Sequence, residues 1–287
     1  MGKKKADSLG DRMKQNYEYV PRTYLTRRVP VIIRLDGKAF HTFTKGMKKP
    51  FDKIMMTTMQ RTMQFLCKNI QGCVFGYTQS DEITLVLTDY ATITTDAWFG
   101  YNVQKMTSVA ASMATVAFNR FFAEEVDGYL NDVTELMGVA QEDMARVCAA
   151  RVVYHDKLKR KFWSAMFDAR VFSIPKDEVC NCLIWRQQDA TRNSIEAAGQ
   201  AYFSAKQLHE KTCNMIQEML WSEKGVNWND YPTDCKRGSC CYRVTETAPK
   251  PNPKNNDEIV NVTRRRWVID REIPIFTQDR EFVERWL

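Results

Sequence analysis

Long hydrophobic runs are missing from this sequence. No stretch approaches the roughly 18 consecutive apolar residues that a membrane helix needs. The opening residues 1–5 (M-G-K-K-K) lead into polar residues and not into the apolar segment of a secretory signal. We therefore expect a protein with no membrane partner and a cytoplasmic location.

Histidine is scarce, and the cysteines do not have the spacing of metal ligands. The 3 histidines lie far apart, at positions 41, 155 and 209, and none of the 9 cysteines forms a C-x-x-C pair. With no secretory signal, we interpret these cysteines as reduced thiols. The motifs G-x-S-x-G, H-E-x-x-H, Walker A and G-x-G-x-x-G are also missing. Neither zinc chemistry nor any of these common catalytic motifs is favoured.

The charged residues show a moderate basic excess. There are 42 basic and 35 acidic residues, for a net charge of +7, and 44% of residues are hydrophobic. Cations clustered on one face would suit a nucleic-acid partner, because they release counterions from phosphates. A slightly basic soluble protein without such a partner explains the charge equally well.

The first half of the chain has the pattern of a small sheet with helices. A β-branched run at 29–35 predicts a buried strand that ends at Asp36. Apolar residues at helical spacing predict a helix over 52–72. The runs 73–77 and 83–87 predict a hairpin with its turn at 79–81. Together with a later strand, these elements predict an α+β fold with a βαββαβ, ferredoxin-like antiparallel sheet.

The second half is less regular. We divide the chain into an N-terminal arm (1–28), a catalytic core (29–175) and a C-terminal helical and β-hairpin region (176–287) packed on the core. The remaining predicted elements are a helix (97–125), an unassigned segment (127–150), a strand (162–172), two helices (176–192 and 194–221), paired strands (239–245 and 260–270) and a mobile connection between them (248–257).

Acidic residues end two of the predicted strand segments. Asp36 follows the first strand, and Asp81 with Glu82 lies at the hairpin tip, so in such a sheet the acids can lie side by side. Nucleotidyl transfer uses such pairs, because two carboxylates bridge two Mg²⁺ ions roughly 3.5–4 Å apart. Gly37 would allow its backbone to approach a phosphate closely. An Asp-Gly after a strand is nevertheless more often a simple turn.

Several segments together resemble the tRNA(His) guanylyltransferase family. They occur in the family's order over roughly residues 29–240 and are R-L-D-G-K-A-F-H (34–41), K-P (49–50), G-Y-T-Q-S-D-E (76–82), F-D-A-R-V (167–171), W-R-Q-Q-D (185–189) and K-R-G (236–238). The resemblance implies a core like the palm of ordinary polymerases, a homotetramer, and nucleotide addition to the 5′ end of tRNA in the 3′–5′ direction. ATP or GTP first activates the 5′-monophosphate. The 3′-hydroxyl of an incoming nucleotide then attacks.

The resemblance also implies roles for individual residues. Asp36 and Asp81, with the Gly37 carbonyl, would hold two Mg²⁺ ions, and Glu82 would support them as a third catalytic acid. The implied nucleotide-binding residues are Arg34, Lys38, Ala39, Phe40, His41, Lys49, Ser80 and Lys105, although Lys105 alone reads better as part of a solvated helix face. Candidate RNA-binding residues are Lys236 and Arg237, together with Arg264, Arg265 and Arg266 beside Trp267. The three arginines fit a solvated strand edge about as well.

One departure from the family bears on the substrate. Eukaryotic members carry His-Ile-Asn-Asn after the W-R-Q-x-D segment, whereas this chain has T-R-N-S at 191–194. Such a change is typical of the bacterial and archaeal guanylyltransferase-like proteins, which favour templated repair of 5′-truncated tRNA. We therefore predict a repair polymerase, with a tRNA(His) G−1 guanylyltransferase as the alternative. A tRNA-binding protein without turnover and a nucleotide cyclase are less favoured.

Overall fold

The computed structural model describes residues 8–252 and 255–287, and it contains a six-stranded antiparallel sheet with the strand order β4-β1-β3-β2-β5-β6. The strands are β1 (Val31–Gly37), β2 (Cys73–Gln79), β3 (Glu82–Leu87), β4 (Phe167–Ser173), β5 (Ser239–Asn252) and β6 (Asn255–Asp270). The first four strands are separated by helices in the order strand, helix, hairpin, helix, strand, as the sequence pattern indicated.

Ten α-helices occur in the described part of the chain. They are α1 (Ser8–Met13), α2 (Phe40–Phe43), α3 (Lys53–Asn69), α4 (Val103–Tyr129), α5 (Gln141–Lys159), α6 (Lys176–Tyr202), α7 (Ala205–Leu208), α8 (Cys213–Lys224), α9 (Thr233–Arg237) and α10 (Glu281–Glu284). A π-helical turn (Lys14–Glu18) and 3₁₀ turns (Trp98–Tyr101, Thr134–Leu136 and Trp228–Asp230) complete the helical elements. None of the helices in the described residues is both long and apolar enough to cross a membrane.

Side chains of β1 alternate between two apolar cores. Ile33 and Leu35 pack into the core that α3 and α4 cover, whereas Ile32 packs with Leu183 of α6 on the other face. This alternation follows from the two-residue period of a strand. The charged residues Arg34 and Asp36 have the same parity as Ile32, so they lie on the α6 face, near the end of the strand.

Helix α3 begins where the sequence predicted it. The Asp52 side chain accepts a hydrogen bond from the Met55 amide at 3.1 Å, which satisfies one of the free amides of the first turn. The apolar face of α3, which includes Met59 and Met63, is buried against the sheet.

The prediction of separate helices over 176–192 and 194–221 is wrong. Helix α6 continues through this boundary to Tyr202. The polar residues 191–194 look like a break in the sequence, but Ser194 is buried in α6 and accepts a hydrogen bond from the Trp228 indole at 3.0 Å. The true break follows Phe203, where Ser204 forms a capping box with Gln207.

Three other boundaries also differ from the predictions. Strand β4 begins only at Phe167, and the unassigned segment after residue 127 contains most of α5. Strands β5 and β6 extend into the predicted mobile connection, so that prediction is wrong for its described residues; residues 253–254 lie outside the described residues, as do residues 1–7 of the predicted arm. A polar composition gave no sign of this pairing, because two strands of an edge ribbon pair through backbone groups without needing a core.

The C-terminal strands belong to the same sheet as the N-terminal ones. Strand β5 pairs with β2, placing Ser239 opposite Thr78. The backbone between α9 and β5 passes so close to β2 that a Cβ on Gly238 would lie 2.4 Å from the Thr78 carbonyl oxygen. Gly238 also has φ +83°, a conformation that favours glycine. The division into arm, core and C-terminal region stays a prediction.

Candidate active site

Acidic residues from three chain segments meet at one end of the sheet. Asp36 of β1 lies between Glu82 of β3 and Asp168 of β4 in the strand register. The Gly37 amide donates a hydrogen bond to the Asp81 carbonyl at 3.1 Å, so the hairpin tip is fixed to the end of β1. The strand order therefore brings Asp36 and Asp81 together from distant parts of the sequence.

The hairpin tip is a two-residue turn made by Ser80 and Asp81. Ser80 adopts a left-handed conformation with φ 48°, and its hydroxyl donates to the Asp81 carboxylate at 3.1 Å. Burial raises the pKa of Asp81 above its usual value, and the nearby charge of Asp36 raises this pKa further. Within the described residues, no lysine or arginine forms an ion pair with Asp81. The negative charge of the Asp81 carboxylate is thus only weakly compensated by the described residues.

Asp36 has one cation near it. The Arg170 guanidinium lies 3.9 Å from the Asp36 carboxylate and 3.6 Å from that of Asp168, and all three side chains are roughly half exposed. Such an exposed, long ion pair contributes little to stability. Arg170 is therefore held only weakly by its two carboxylate partners.

Glu82 is in a different environment from the two aspartates. Its carboxylate accepts a hydrogen bond from Arg186 of α6 at 2.8 Å, and both side chains are less than 10% exposed. Burial raises the pKa of Glu82, although the positive charge of Arg186 opposes the shift. Arg186 also lies 3.4 Å from Asp189. The geometry makes Glu82 a structural anchor between the hairpin and α6, and not an open ligand.

A cleft of 570 Å³ opens beside the aspartates, a volume within the range of small-molecule sites. Its walls come from the β1–α2 loop, the segment before α3, the hairpin tip, α6 and α9. The lining residues include Gly37, Ala39, Phe40, His41, Lys49, Ser80, Asp81, Asn193, Ser194, Asp234 and Gly238.

The last position of β1, before the loop that leads to α2, requires glycine. A Cβ on Gly37 would lie 2.3 Å from the Phe40 ring. That ring is buried against Phe43, Phe118 and Phe167, with ring centroids 5.0–5.3 Å away. Phe40 can therefore contribute only backbone atoms to the cleft. Ala39 precedes α2 in a left-handed conformation, and the first amides of a helix have no partner within it.

The predicted cations of the nucleotide site are not all in one place. Lys38, His41 and Lys49 are exposed around the loop, but only His41 and Lys49 line the cleft. Arg34 lies over the Trp185 ring at 5.4 Å, and its Nε is buried without a hydrogen-bond partner. Lys105 lies in the first turn of α4, over Phe99, about 20 Å along the helix from the part that packs on Phe40.

The predicted RNA-binding residues form two separate groups. Lys236 and Arg237 belong to α9, next to the cleft. Arg264, Arg265 and Arg266 are exposed on edge strand β6, where Arg264 is opposite Glu246. Glu246 is seven residues along β5 from the end of β2 that carries the cleft, so these arginines lie about 20 Å away.

Sequence reasoning gave no role to Arg170 and Arg186, the two arginines closest to the acids. Both lie within segments that carried the family resemblance, F-D-A-R-V and W-R-Q-Q-D. The presence of an arginine in each of these two segments was the signal that could have indicated a role for it. Pairing Arg186 with Glu82, however, required knowledge that α6 crosses the sheet at that point.

The two aspartates fit a magnesium site in their chemistry. Mg²⁺ prefers oxygen ligands and uses one or two carboxylates together with phosphate and water. Asp36 and Asp81 supply the carboxylates, and the carbonyl of Gly37, the residue after Asp36, is a third candidate oxygen. A bound cation would relieve the repulsion between the two carboxylates. Among the described residues no group of three or more histidine, cysteine, aspartate or glutamate side chains could hold a metal ion. The fit therefore depends on the two carboxylates and on substrate oxygens.

Paired aspartates beside a cleft of this size, with basic residues at its rim, suit a nucleotidyltransferase. Residues 10–175 match the family described as "Thg1: tRNAHis guanylyltransferase". The chain belongs to this family, the tRNA(His) guanylyltransferases.

Two similar proteins match most of the chain, and one of them carries the family's name. A "Probable tRNA(His) guanylyltransferase" of Dictyostelium discoideum is 25% identical, over 88% of this chain and 90% of its own length. An uncharacterized protein, R259, of Acanthamoeba polyphaga mimivirus is 26% identical, over 81% and 76%.

Solved structures show the same fold. A "Bacterial tRNA(HIS) Guanylyltransferase (Thg1)-Like Protein in complex with ATP" has 38% identity and a TM-score of 0.75, over 97% of this chain and 98% of that one. The corresponding complex with GTP has the same identity and a TM-score of 0.69, over 98% and 99%.

Proposed function

We propose that this protein is a metal-dependent 3′–5′ polymerase that repairs the 5′ end of truncated tRNA against the opposite strand. The observation that carries the proposal is the junction of Asp36 and Asp81 beside a nucleotide-sized cleft, which Asp81 lines together with residues of α6. ATP and GTP, the molecules bound by the similar bacterial proteins, are the proposed nucleotide substrates, and tRNA is the acceptor.

Mg²⁺ would be held by Asp36, Asp81 and the Gly37 carbonyl. When bound, two such ions stabilise the charge on the attacking and leaving oxygens of a phosphoryl centre. The fixed turn at Ser80 keeps the Asp81 carboxylate directed into the cleft. Burial of Glu82 beside Arg186 holds the hairpin in place, so that the two aspartates need not reorganise during the reaction.

The remaining cleft residues suit phosphate binding. Ala39 and Phe40 present backbone amides at the start of α2, and His41 and Lys49 line the same wall. Lys38 is exposed at the loop without an ion pair among the described residues and would reach phosphates from outside. In this arrangement the loop holds a triphosphate and excludes water from the side that faces the core.

The residues that α6 places in the cleft favour templated repair over G−1 addition. Asn193 and Ser194 line the cleft, while Thr191 turns away and donates to the Gln187 carbonyl at 3.1 Å. Where eukaryotic relatives carry a second asparagine, Ser194 instead accepts the Trp228 indole N–H. Since the serine hydroxyl is shorter than an asparagine amide and already accepts this bond, it offers an unpaired base fewer contacts than a second asparagine would, which favours selection of the incoming nucleotide by its pairing with the template.

The fold supports a palm-like core but leaves assembly and location as proposals. The order β4-β1-β3-β2 and the acids at one end of that sheet are what a polymerase palm requires. A homotetramer and a cytoplasmic location follow only from the family resemblance and the sequence, respectively. Sedimentation of the purified protein tests the tetramer directly.

The decisive experiment uses a tRNA that lacks its first nucleotide and carries a 5′-monophosphate. With Mg²⁺, ATP and the templated nucleotide, the wild-type protein is expected to extend it by one nucleotide. Asp36→Asn should abolish extension, whereas Asp127→Asn, an exposed aspartate of α4, should leave it unchanged. No extension by the wild-type protein refutes the proposed activity.

A second arm separates repair from G−1 addition. Addition of G is compared on matched tRNAs that place A or C opposite the new position. Templated repair predicts a preference for C of at least tenfold in kcat/KM. A dominant product opposite A would replace the repair proposal by the guanylyltransferase alternative.

A further inference from the structure

A second groove lies across α6 from the active-site cleft. Its volume is 340 Å³, which is at the small end of the range for ligand sites. Helix α6, the turn Trp228–Asp230, helix α9 and residues 275–277 form its walls. The lining includes Ile184, Gln188, Trp228, Lys236, Arg237 and Ile275.

The walls of this groove are held in place by specific hydrogen bonds. The Gln187 amide donates to the Pro274 carbonyl at 2.9 Å and accepts from the Phe276 amide at 2.8 Å, which fixes residues 274–276 to α6. The buried Tyr77 hydroxyl donates to the Arg237 carbonyl at 2.7 Å and ties the end of α9 to β2. The groove is therefore preformed.

The charge in this groove is positive, although the Lys236 ammonium also donates a hydrogen bond to the Asn229 carbonyl. No aspartate or glutamate lines it, and within the part of the chain that the structure describes neither Lys236 nor Arg237 forms an ion pair. The Lys236 ammonium lies 5.8 Å from the centre of the Trp228 ring. Two cations beside an indole and apolar side chains suit a ligand with a flat base and a phosphate, because bases stack on aromatic rings and arginine binds phosphate oxygens.

The position of the groove, close to the active-site cleft, indicates which molecule would supply such a base and phosphate. Only one helix separates it from the active-site cleft, a distance of about 10–12 Å. Trp228 links the two sites, since its indole lines the groove while its N–H binds Ser194 in the cleft wall. Two cations suit one phosphodiester better than a free triphosphate, which carries more charge.

When the 5′ end of an acceptor stem lies in the cleft, the unpaired 3′ nucleotides of the opposite strand begin beside it.

We propose that this groove binds an unpaired nucleotide of the 3′ strand of the RNA, with its base against Trp228 and its phosphate at Arg237 and Lys236. The proposal rests on the proposed function, since it assumes that the 5′ end lies in the cleft. Binding at the groove would fix the template strand beside the position to which a nucleotide is added.

The test is a binding cycle between the protein and the RNA. Dissociation constants are measured without nucleoside triphosphates for two RNAs, a tRNA with its unpaired 3′ nucleotides and the same tRNA with them removed. The proteins are wild type, Arg237→Gln, Lys236→Gln and the control Arg146→Gln, an arginine that is 80% exposed on α5. Thermal unfolding of each variant checks that it is folded.

For the intact tRNA, Arg237→Gln is expected to weaken binding about tenfold, the loss expected for one charge-assisted hydrogen bond. The same variant should lose less than twofold with the shortened tRNA, and the wild type should lose about tenfold when the 3′ nucleotides are removed. The slope of log affinity against log salt should fall by about 0.7 for the intact tRNA only. Lys236→Gln should follow the same pattern, and Arg146→Gln should bind both RNAs like wild type.

Equal weakening for both RNAs would overturn the proposal, because it would mean general attraction to the duplex. Competition by free ATP for the overhang-dependent part of binding would overturn it in favour of a triphosphate site. Extension by the wild-type protein without any coupling in this cycle rejects the groove and keeps the proposed function. Coupling without extension keeps the groove and rejects the proposed function.

Discussion

The ion pair of Glu82 and Arg186 allows the sharpest prediction about stability. Both side chains are almost fully buried, at 9% and 7% exposure, so water can screen neither charge. Replacing Arg186 by methionine keeps much of its volume but leaves the Glu82 carboxylate buried without its partner. Removing one partner of a buried pair costs about 3–5 kcal/mol.

The expected shift in melting temperature follows from the size of the chain. One kcal/mol changes Tm by roughly 2–4 °C in chains of 150–250 residues, so a loss of about 3–5 kcal/mol should lower the Tm of Arg186→Met by roughly 6–20 °C. Glu82→Gln, which removes the charge but leaves Arg186 unpaired, should also destabilise. The double variant, Glu82→Gln with Arg186→Met, should be more stable than the sum of the two losses predicts, because neither charge is then left alone.

Thermal unfolding followed by circular dichroism at one pH and protein concentration measures all four proteins. A control is Arg120→Met, whose guanidinium pairs with Glu124 on the exposed side of α4 and is 68% exposed. That pair should contribute less than about 1 kcal/mol. If Arg186→Met lowers Tm no more than Arg120→Met, or if the two substitutions are simply additive, the anchoring role of the pair is wrong.

Other predictions concern the loop, its cations and the RNA surface. Gly37→Ala would place a methyl group against the Phe40 ring and should cost about 1–3 kcal/mol by thermal unfolding, whereas Gly128→Ala, with nothing within 4 Å on α4, should not destabilise. Lys49→Gln should raise KM for ATP about tenfold with kcat within twofold of wild type, because it removes a phosphate contact and leaves both acids in place; a loss confined to kcat would contradict this. The affinity for tRNA should fall steeply as salt rises, and Arg265→Gln should reduce that slope by about one; a flat response in filter-binding titrations excludes the basic surface.

The parts of the fold that could be predicted depend on local signals. Strand β1, helix α3 and the hairpin at Ser80 have apolar patterns with clear turn or capping residues at their ends. Because the two acids occur where such elements end, the sequence alone could place them at one end of a sheet. The pattern made them candidates for metal ligands, and the family resemblance assigned them that role, which stays a prediction.

The rest depends on contacts between distant residues. Arg186 is a charged residue on a helix, and nothing near it in sequence reveals that Glu82 lies opposite. The continuity of α6 at Ser194 likewise depends on Trp228, which supplies a hydrogen-bond donor from outside the helix. The pairing of β5 with β2 was hidden for the same reason, because the sequence between them contains more than one hundred and fifty residues.

Because α6 is unbroken, it links the buried anchor at Glu82 rigidly to the wall of the cleft. Arg186 anchors the helix to Glu82, and Ser194 reaches the cleft wall eight residues later, about 12 Å along the same rigid axis. The cleft-wall residues of α6 are therefore held at a fixed distance from the anchored hairpin that carries Asp81. Since a helix transmits position better than a loop, we expect substitutions at Asn193 or Ser194, which line the cleft, to change its wall without moving the acids.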